Sequence, residues 1–335
     1  MPKQNKVYTI EDIARELGVS KTTVSRSISG KGRISKETRE KVLAFIETHD
    51  YRPSSLAKAL AQNKTYNLGL VLPSDYAAVD LPFFRESMSG ICEVASAENY
   101  DVVLSMVDGK DLSQIQRQIH NRKVDGMIVS RSTKNPQVVN LLKEKQMPFV
   151  VMGPSDDEGI LSVDNDNREA CRELVSILLM KGMRRLALIG GSSRHMVTES
   201  RKKGYLDAFY QCGIAVEERL ILLDVEGAHQ TCEAVQKVLD EGVDGIVCMD
   251  DMLTIQAVEY LREKGVVIPK ELCLASCYDN PQLENNYPPI TSLRFESKEL
   301  GKNACRMLIE QVEGKIPEKK SPANYQVILR ESTKI

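Results

Sequence analysis

The chain has 335 residues, 42% hydrophobic and 27% charged, which is the balance of an ordinary globular protein and excludes a disordered or fibrous chain. No run approaches the roughly 18 apolar residues of a membrane span, and no apolar leader opens the sequence, so the chain reads as soluble and cytosolic. Net charge is −2, yet residues 1–62 hold 12 basic and 7 acidic residues (+5), while the rest hold 33 and 40 (−7). A phosphate-binding head on an acidic body fits that asymmetry, and so does a plain solvated basic face.

The first elements are short helices. Thr9-Ile-Glu-Asp12 opens one, capped by Thr9, with Ile10, Ile13, Ala14 and Leu17 at helical spacing until Gly18. Ser20 caps a second over Lys21–Ile28 that turns Val24 and Ile28 inward, and Gly30 and Gly32 end it. Ser35 caps a third, with Val42, Phe45 and Ile46 on its apolar face. Two helices joined by a Gly-Val-Ser turn and braced by a third make a helix-turn-helix. Its second helix would lie in the major groove of DNA, presenting Lys21, Thr22, Thr23, Ser25 and Arg26. A three-helix bundle used for protein contact has the same periodicity.

The residue string goes further than the periodicity. Residues 9–30, then Ile34-Ser-Lys-Glu-Thr-Arg-Glu-Lys-Val42 and Tyr51-Arg-Pro-Ser-Ser-Leu-Ala-Lys-Ala-Leu60, resemble the headpiece of the lactose-repressor (LacI/GalR) family. The resemblance implies that Lys21 and Thr22 choose the operator and that Arg26 reads a base. Ser20, Thr23 and Ser25 would bond phosphates and fix register, and Thr9 and Ser35 join the DNA-contact set. It also makes Ser54–Ala61 a hinge helix, too short to be stable alone. Two such helices would pair in the minor groove of a homodimer's operator, Ala57 allowing close approach and Leu60 wedging into a base step. Ser54 stands where the family often has Asn. A linker helix with Leu60 packed on the body is the plainer reading.

From Tyr66 the pattern alternates. Strand-like runs occur at Leu68–Leu72, Asp101–Met106, Gly126–Val129, Pro148–Met152, Leu186–Ile189, Gly245–Met249 and Leu272–Ser276. Helical stretches lie between them, among them Phe84–Glu98, Leu112–Asn121, Arg168–Lys181, Gln230–Glu241 and Leu253–Lys264. Such alternation predicts parallel sheets wound on both faces, with ligands at the carboxyl ends of strands. No Gly-x-Gly-x-x-Gly follows a strand, which disfavours a dinucleotide enzyme. The strand-end residues are Ser74, Asp75, Phe83, Phe84, Arg131, Asp164, Arg201, Asp251 and Asp279. Carboxylates, arginines and aromatic rings around one cleft suit a polyhydroxylated ligand, although each residue alone is as readily a polar loop position. Eight cysteines without a Cys-x-x-Cys pair, beside apolar runs, read as buried free thiols; four histidines without ligand spacing give no metal site, and no cofactor is expected.

The family resemblance extends over this body through Leu161-Ser-Val-Asp-Asn165, Arg201-x-x-Gly-Tyr205, Asp250-Asp-Met252 and Tyr278-Asp279. Asp250 stands for the usual Asn, Cys277 for a glycine, and Met152-Gly-Pro154 for an Asp-Arg. It implies a fold of an all-α headpiece (1–53), a hinge (54–65) and an α/β body like a periplasmic binding protein (66–335). The body would have two doubly wound parallel-sheet subdomains, 66–161 with 292–322 and 162–291 with 323–335. The expected function is a DNA-binding regulator, a repressor of carbohydrate-utilisation genes released by a mono- or disaccharide. A co-repressor-dependent regulator, for example with a purine, and a solute-binding protein are the rivals. A glycosidase would need two carboxyl groups roughly 5–9.5 Å apart. Asp251 and Asp279 would be its candidates, with Arg201 expected to hold both ionised.

Overall fold

The computed structural model describes residues 8–29, 32–49, 64–74, 81–108, 111–318 and 324–334, which fall into two compact units, residues 1–65 and 66–335. The first contains α1 (Ile10–Glu16), α2 (Lys21–Ser29) and α3 (Lys36–Thr48). Thr9 and Asp12 form a reciprocal capping box at the start of α1. Gly18 takes φ +62 in the turn before α2, a left-handed conformation that glycine adopts without steric cost. Ile13, Ala14, Val24 and Val42 form the buried centre, with Ile10, Leu17, Ile28, Phe45 and Ile46 packed round it. The apolar positions read from the sequence are thus the ones that hold the headpiece together. Ser54, Ala57 and Leu60 lie outside the described residues, and so does Asp75.

The second unit has two lobes. The first lobe's sheet contains β1 (Asn67–Pro73), β2 (Asp101–Val107), β3 (Gly126–Val129), β4 (Phe149–Met152) and β5 (Ser162–Val163), in the order β2-β1-β3-β4-β5 and parallel throughout. The second lobe's sheet contains β6 (Leu186–Ile189), β7 (Ile221–Leu222), β8 (Gly245–Cys248), β9 (Cys273–Ser276), β10 (Thr291–Phe295) and β11 (Tyr325–Ile328), in the order β11-β10-β9-β8-β6-β7. Its β10–β11 pair is antiparallel, so this lobe is not purely parallel. The helices of the first lobe are α4 (Pro82–Ala97), α5 (Ser113–His120) and α6 (Gln137–Glu144). Those of the second are α7 (Asn167–Met180), α8 (Met196–Gln211), α9 (Gly227–Asp240), α10 (Asp251–Glu263) and α11 (Pro281–Glu284). A long α12 (Ser297–Val312) returns to the first lobe, where Leu300, Ala304 and Leu308 pack with Leu68, Ile128 and Val150.

Two expected boundaries shift. β5 pairs with β4, so the first crossing follows Val163. β10 pairs with β9 and β11, so the second crossing follows Phe295 rather than residue 291. The third lies between Val312 and Tyr325. The cysteine expectation also needs correction: Cys92 and Cys212 are exposed and Cys232 is half-buried. Cys277, standing where the family pattern has glycine, puts its Sγ 3.8 Å from that of Cys171 in the core of the second lobe.

Candidate functional site

In the headpiece, α2 sets Lys21, Thr22, Ser25 and Arg26 on its exposed surface, while Val24 and Ser27 face inward. Three of the hydroxyls assigned to DNA also shape the helices. Thr9 caps α1. The Ser20 Oγ accepts the Thr23 N–H at 3.0 Å, and the Ser35 Oγ accepts the Thr38 N–H at 3.2 Å. Lys21, the first residue of α2, forms an ion pair with Glu11 of α1.

In the second unit, the carboxyl ends of both sheets face a cavity of about 730 Å³. Of the residues proposed from the sequence as effector contacts, Phe83, Phe84, Arg131, Asp164, Arg201 and Asp251 line it. Arg201 rises from α8 and is buried. Its Nε donates to Asn167 Oδ1 at 3.0 Å and its Nη1 donates to the Met249 carbonyl at the end of β8. Asn167 Nδ2 in turn donates to Asp164 Oδ1 at 3.1 Å. The guanidinium is therefore fixed from behind, with no side-chain freedom left to lose when it grips a ligand.

Three carboxyl groups of the cleft, Asp164, Asp250 and Asp251, are shifted the same way. Burial pushes Asp164 and Asp250 above the usual range, although both gain backbone N–H bonds and feel Arg201. Asp250 caps α10 by accepting the Leu253 N–H at 2.8 Å. Asp251, one residue further, is pushed up to about 6, chiefly by burial, even though Asn280 Nδ2 donates to it at 2.6 Å. Contrary to expectation, Arg201 does not lower the pKa of Asp251; desolvation outweighs its hydrogen bonds and raises it.

The facing wall is aromatic. The Arg131 guanidinium carbon stands 5.2 Å from the Phe84 ring centroid, and its Nη1 lies 3.4 Å from His195 Nε2 of the second lobe. Phe83 meets Tyr278 edge-on across the lobes at 6.4 Å. The lobes are also strapped directly, away from their three crossovers. Met196 N–H donates to the Ser132 carbonyl at 3.1 Å, Lys134 N–H to the Arg194 carbonyl at 2.9 Å, and Lys134 Nζ pairs with Glu199 at 3.1 Å.

Two predicted residues are not brought to the cavity. Ser74 is exposed and its N–H closes onto the Val107 carbonyl at 3.0 Å. Asp279 turns away from the cleft. It accepts from Arg294 at 2.7 and 2.9 Å, from Arg330 at 2.7 and 3.0 Å and from the Ser292 hydroxyl at 2.5 Å. Burial raises its pKa, but Arg330, Ser292 and Arg294 together outweigh that and leave it lowered. It is an internal ion-pair centre, so it also cannot act with Asp251 on a bond in the cleft. Asn165, Asp250 and Tyr278, noted in the sequence only as parts of the family-like runs, also line the cavity, and so do Asn167, His195 and Gln256, which the sequence reading did not name as contacts. The two asparagines share the Val163-Asp-Asn-Asp-Asn167 run with Asp164, which was the available signal; no local pattern marks His195.

Comparison with known proteins is consistent with this division. Residues 9–54 match the family described as "Bacterial regulatory proteins, lacI family", and residues 175–333 match the periplasmic binding protein-like domain. The HTH-type transcriptional regulator MalR of Streptococcus pneumoniae is 32% identical over 269 residues, covering 78% of this chain and 81% of that protein. The chain belongs to the lacI family. RegA of Clostridium saccharobutylicum, also an HTH-type transcriptional regulator, is 29% identical over 332 residues, 97% of this chain and 99% of RegA. Among solved structures, the lac repressor dimer bound to operator and the anti-inducer ONPF superposes with TM-score 0.82 at 21% identity, over 98% of this chain and 99% of that one. The CelR–cellobiose complex superposes at 0.73 and 24%, over 97% and 99%. At those identities the two structures show the fold alone. Among the described residues no helix is long and apolar enough to cross a membrane, and no group of three or more His, Cys, Asp or Glu could hold a metal.

Proposed function

We propose that this lacI-family regulator represses carbohydrate-utilisation genes and is controlled by a mono- or disaccharide held between its lobes. The DNA is read by Lys21, Thr22 and Arg26 of α2, with two copies on a pseudo-palindromic operator. The observation that carries the effector half is the anchored Arg201. Its guanidinium is fixed by Asn167 and the Met249 carbonyl in a cavity whose other polar groups are carboxyls, amides and hydroxyls with Arg131 and His195, and whose aromatic lining is Phe83, Phe84 and Tyr278. Hydroxyl pairs suit the arginine and the acids, and the rings suit an apolar sugar face. The volume falls within the roughly 300–1,000 Å³ of small-ligand sites. CelR, of the same fold, is solved with cellobiose. The chain is not an enzyme on this reading, and incubation with aryl-glucosides should release no aryl alcohol.

The effector acts only if it binds the DNA-competent and DNA-incompetent arrangements unequally. Titrating glucose, maltose and cellobiose into the full chain on its own upstream DNA should change operator affinity about tenfold or more for one of them, a coupling of roughly 1–3 kcal/mol. Release marks an inducer and tightening a co-repressor. If no sugar or purine alters the affinity, the effector half of the reading is wrong.

A further inference from the structure

α2 contributes two cations and no acid to the exposed face of the headpiece, and an acid reaches it from another element. Glu11, in the first turn of α1, pairs through its Oε1 with the Nζ of Lys21, ten residues on and across the turn. The neighbouring acid, Asp12, is engaged with Thr9 and with Arg15 at 2.9 Å, so Glu11 is the group of that turn that crosses to α2. Both partners are exposed, and Lys21 stands at the start of the helix that carries the proposed base contacts.

A carboxylate at such a place works against DNA binding in general. It repels phosphates and occupies the ammonium that would otherwise neutralise one. Lysine is a flexible point charge that pairs readily with any phosphate along a duplex, whatever its sequence. A lysine already paired has a local alternative to that contact. It gives up the alternative where full docking in the correct register sets it against two acceptors at once, such as the O6 and N7 of a guanine, and the rest of the specific interface offsets the lost ion pair. The carboxylate then faces the groove, where only an amino group such as cytosine N4 can satisfy it. An unfavourable element of this kind raises selectivity by weakening the wrong complexes more than the right one.

We propose that Glu11 is a specificity-determining positioning residue of the DNA contact: through its ion pair with Lys21 it suppresses phosphate binding to unspecific DNA. The proposal rests on the reading of α2 as the DNA-contacting helix. Its consequence is that Lys21 contributes little to the salt dependence of unspecific binding in the wild type and contributes fully once Glu11 is neutralised.

The test uses the full chain with calf-thymus DNA as the unspecific probe and, as the specific one, the best duplex selected from a random-sequence pool. Glu11→Gln should steepen the logarithmic salt slope on calf-thymus DNA by about 0.9, one added phosphate contact. A fourfold rise in salt then costs this variant about 3.5-fold more affinity than it costs the wild type. The ratio of specific to unspecific affinity should fall at least threefold at low salt, and Glu11→Asp should restore part of it. In a Lys21→Gln background the same change should leave the slope unmoved, which separates a role through Lys21 from a general charge effect. An unchanged slope for Glu11→Gln, or an equal steepening with and without Lys21, overturns the proposal. If the wild type shows no salt-dependent affinity for either duplex, the DNA reading itself fails with it. A circular dichroism spectrum like the wild type's shows that the variant headpiece is folded, and Glu11→Ala serves if Glu11→Gln is not.

Discussion

Asp251 sits at the start of α10 with its carboxyl among buried neighbours, and its proton affinity is therefore a property of the fold. The group moves from an ordinary 3.8 to about 6, so the folded chain holds a proton that the unfolded chain has released over that interval. Its contribution to stability is greatest below pH 4 and is lost as pH rises toward 6, by about 3 kcal/mol in all. Asp251→Asn keeps an oxygen to accept from Asn280 and removes the titration. The stability difference between variant and wild type, from urea midpoints, should therefore grow in the variant's favour between pH 4 and pH 6.5 and then level off. A ligand hydroxyl donating to Asp251 favours the ionised form, so sugar affinity should run the other way and rise with pH over the same interval. Asp279 is the contrasting carboxylate. Removing it in Asp279→Ala leaves Arg330 buried with the Ile290 carbonyl, the Ser292 hydroxyl and the exposed Glu284 at 3.7 Å in place of its close carboxylate, and should cost roughly 3–5 kcal/mol of unfolding free energy. Sugar affinity of the folded fraction should be unchanged; a selective loss of sugar binding at normal stability would return Asp279 to the cleft. The sequence placed both acids at strand ends correctly but could not tell which way each points. Beyond β9 successive side chains alternate, so Tyr278 faces the cavity while Cys277 and Asp279 face away.

At the level of elements, α4 and α12 are held together by missing side chains. Gly90 of α4 lies against the backbone at Lys298, and Gly301 of α12 lies against the Ser87 carbonyl. A Cβ at either place would meet main chain, which cannot rotate aside. The same device recurs between α7 and α8, where Gly204 lies over the Arg168 carbonyl. Gly301→Ala should therefore destabilise the body by roughly 1–3 kcal/mol or more despite the helix propensity it adds, whereas the same change at exposed helix sites is stabilising. A urea midpoint at or above the wild-type value would show that the two helices slide apart without cost. In the sequence Gly204 stands out within the Arg201-x-x-Gly-Tyr205 run, whereas nothing local marks Gly90 or Gly301. β10 was harder to read, because Thr291 and Ser292 look like loop residues. They are fully buried with their hydroxyls bonded to Thr333 and Asp279, so a strand whose polar groups are satisfied inside the fold was assigned to a crossing between lobes. The apolar strands β1, β3, β6 and β8 needed no such knowledge, since their runs are buried on both faces.

For the molecule as a whole, a ligand in the cleft acts on how its lobes meet, and the strap at Ser132–Lys134 and Arg194–Glu199 joins their backbones outside the crossovers, beside the Phe83–Tyr278 and Arg131–His195 contacts. One of its bonds can be removed almost alone. Met196 is the first residue of α8, a position where proline suits the helix, and His195 before it is extended at φ −79 and ψ 130, as a residue preceding proline must be. Met196→Pro deletes the N–H that reaches Ser132 while leaving the helix ladder whole. A ligand that bridges both lobes binds their closed arrangement, so weakening the strap lowers the population that is competent to hold it. One backbone hydrogen bond is worth roughly 0.5–1.5 kcal/mol net, and sugar binding by calorimetry should weaken roughly two- to tenfold against Met196→Ala, which carries the same loss of the buried side chain. Operator affinity without sugar should move in the opposite sense to whatever the sugar does, because the variant starts further from the ligand-bound arrangement. Equal sugar affinities for Met196→Pro and Met196→Ala would mean that the strap follows closure without contributing to it.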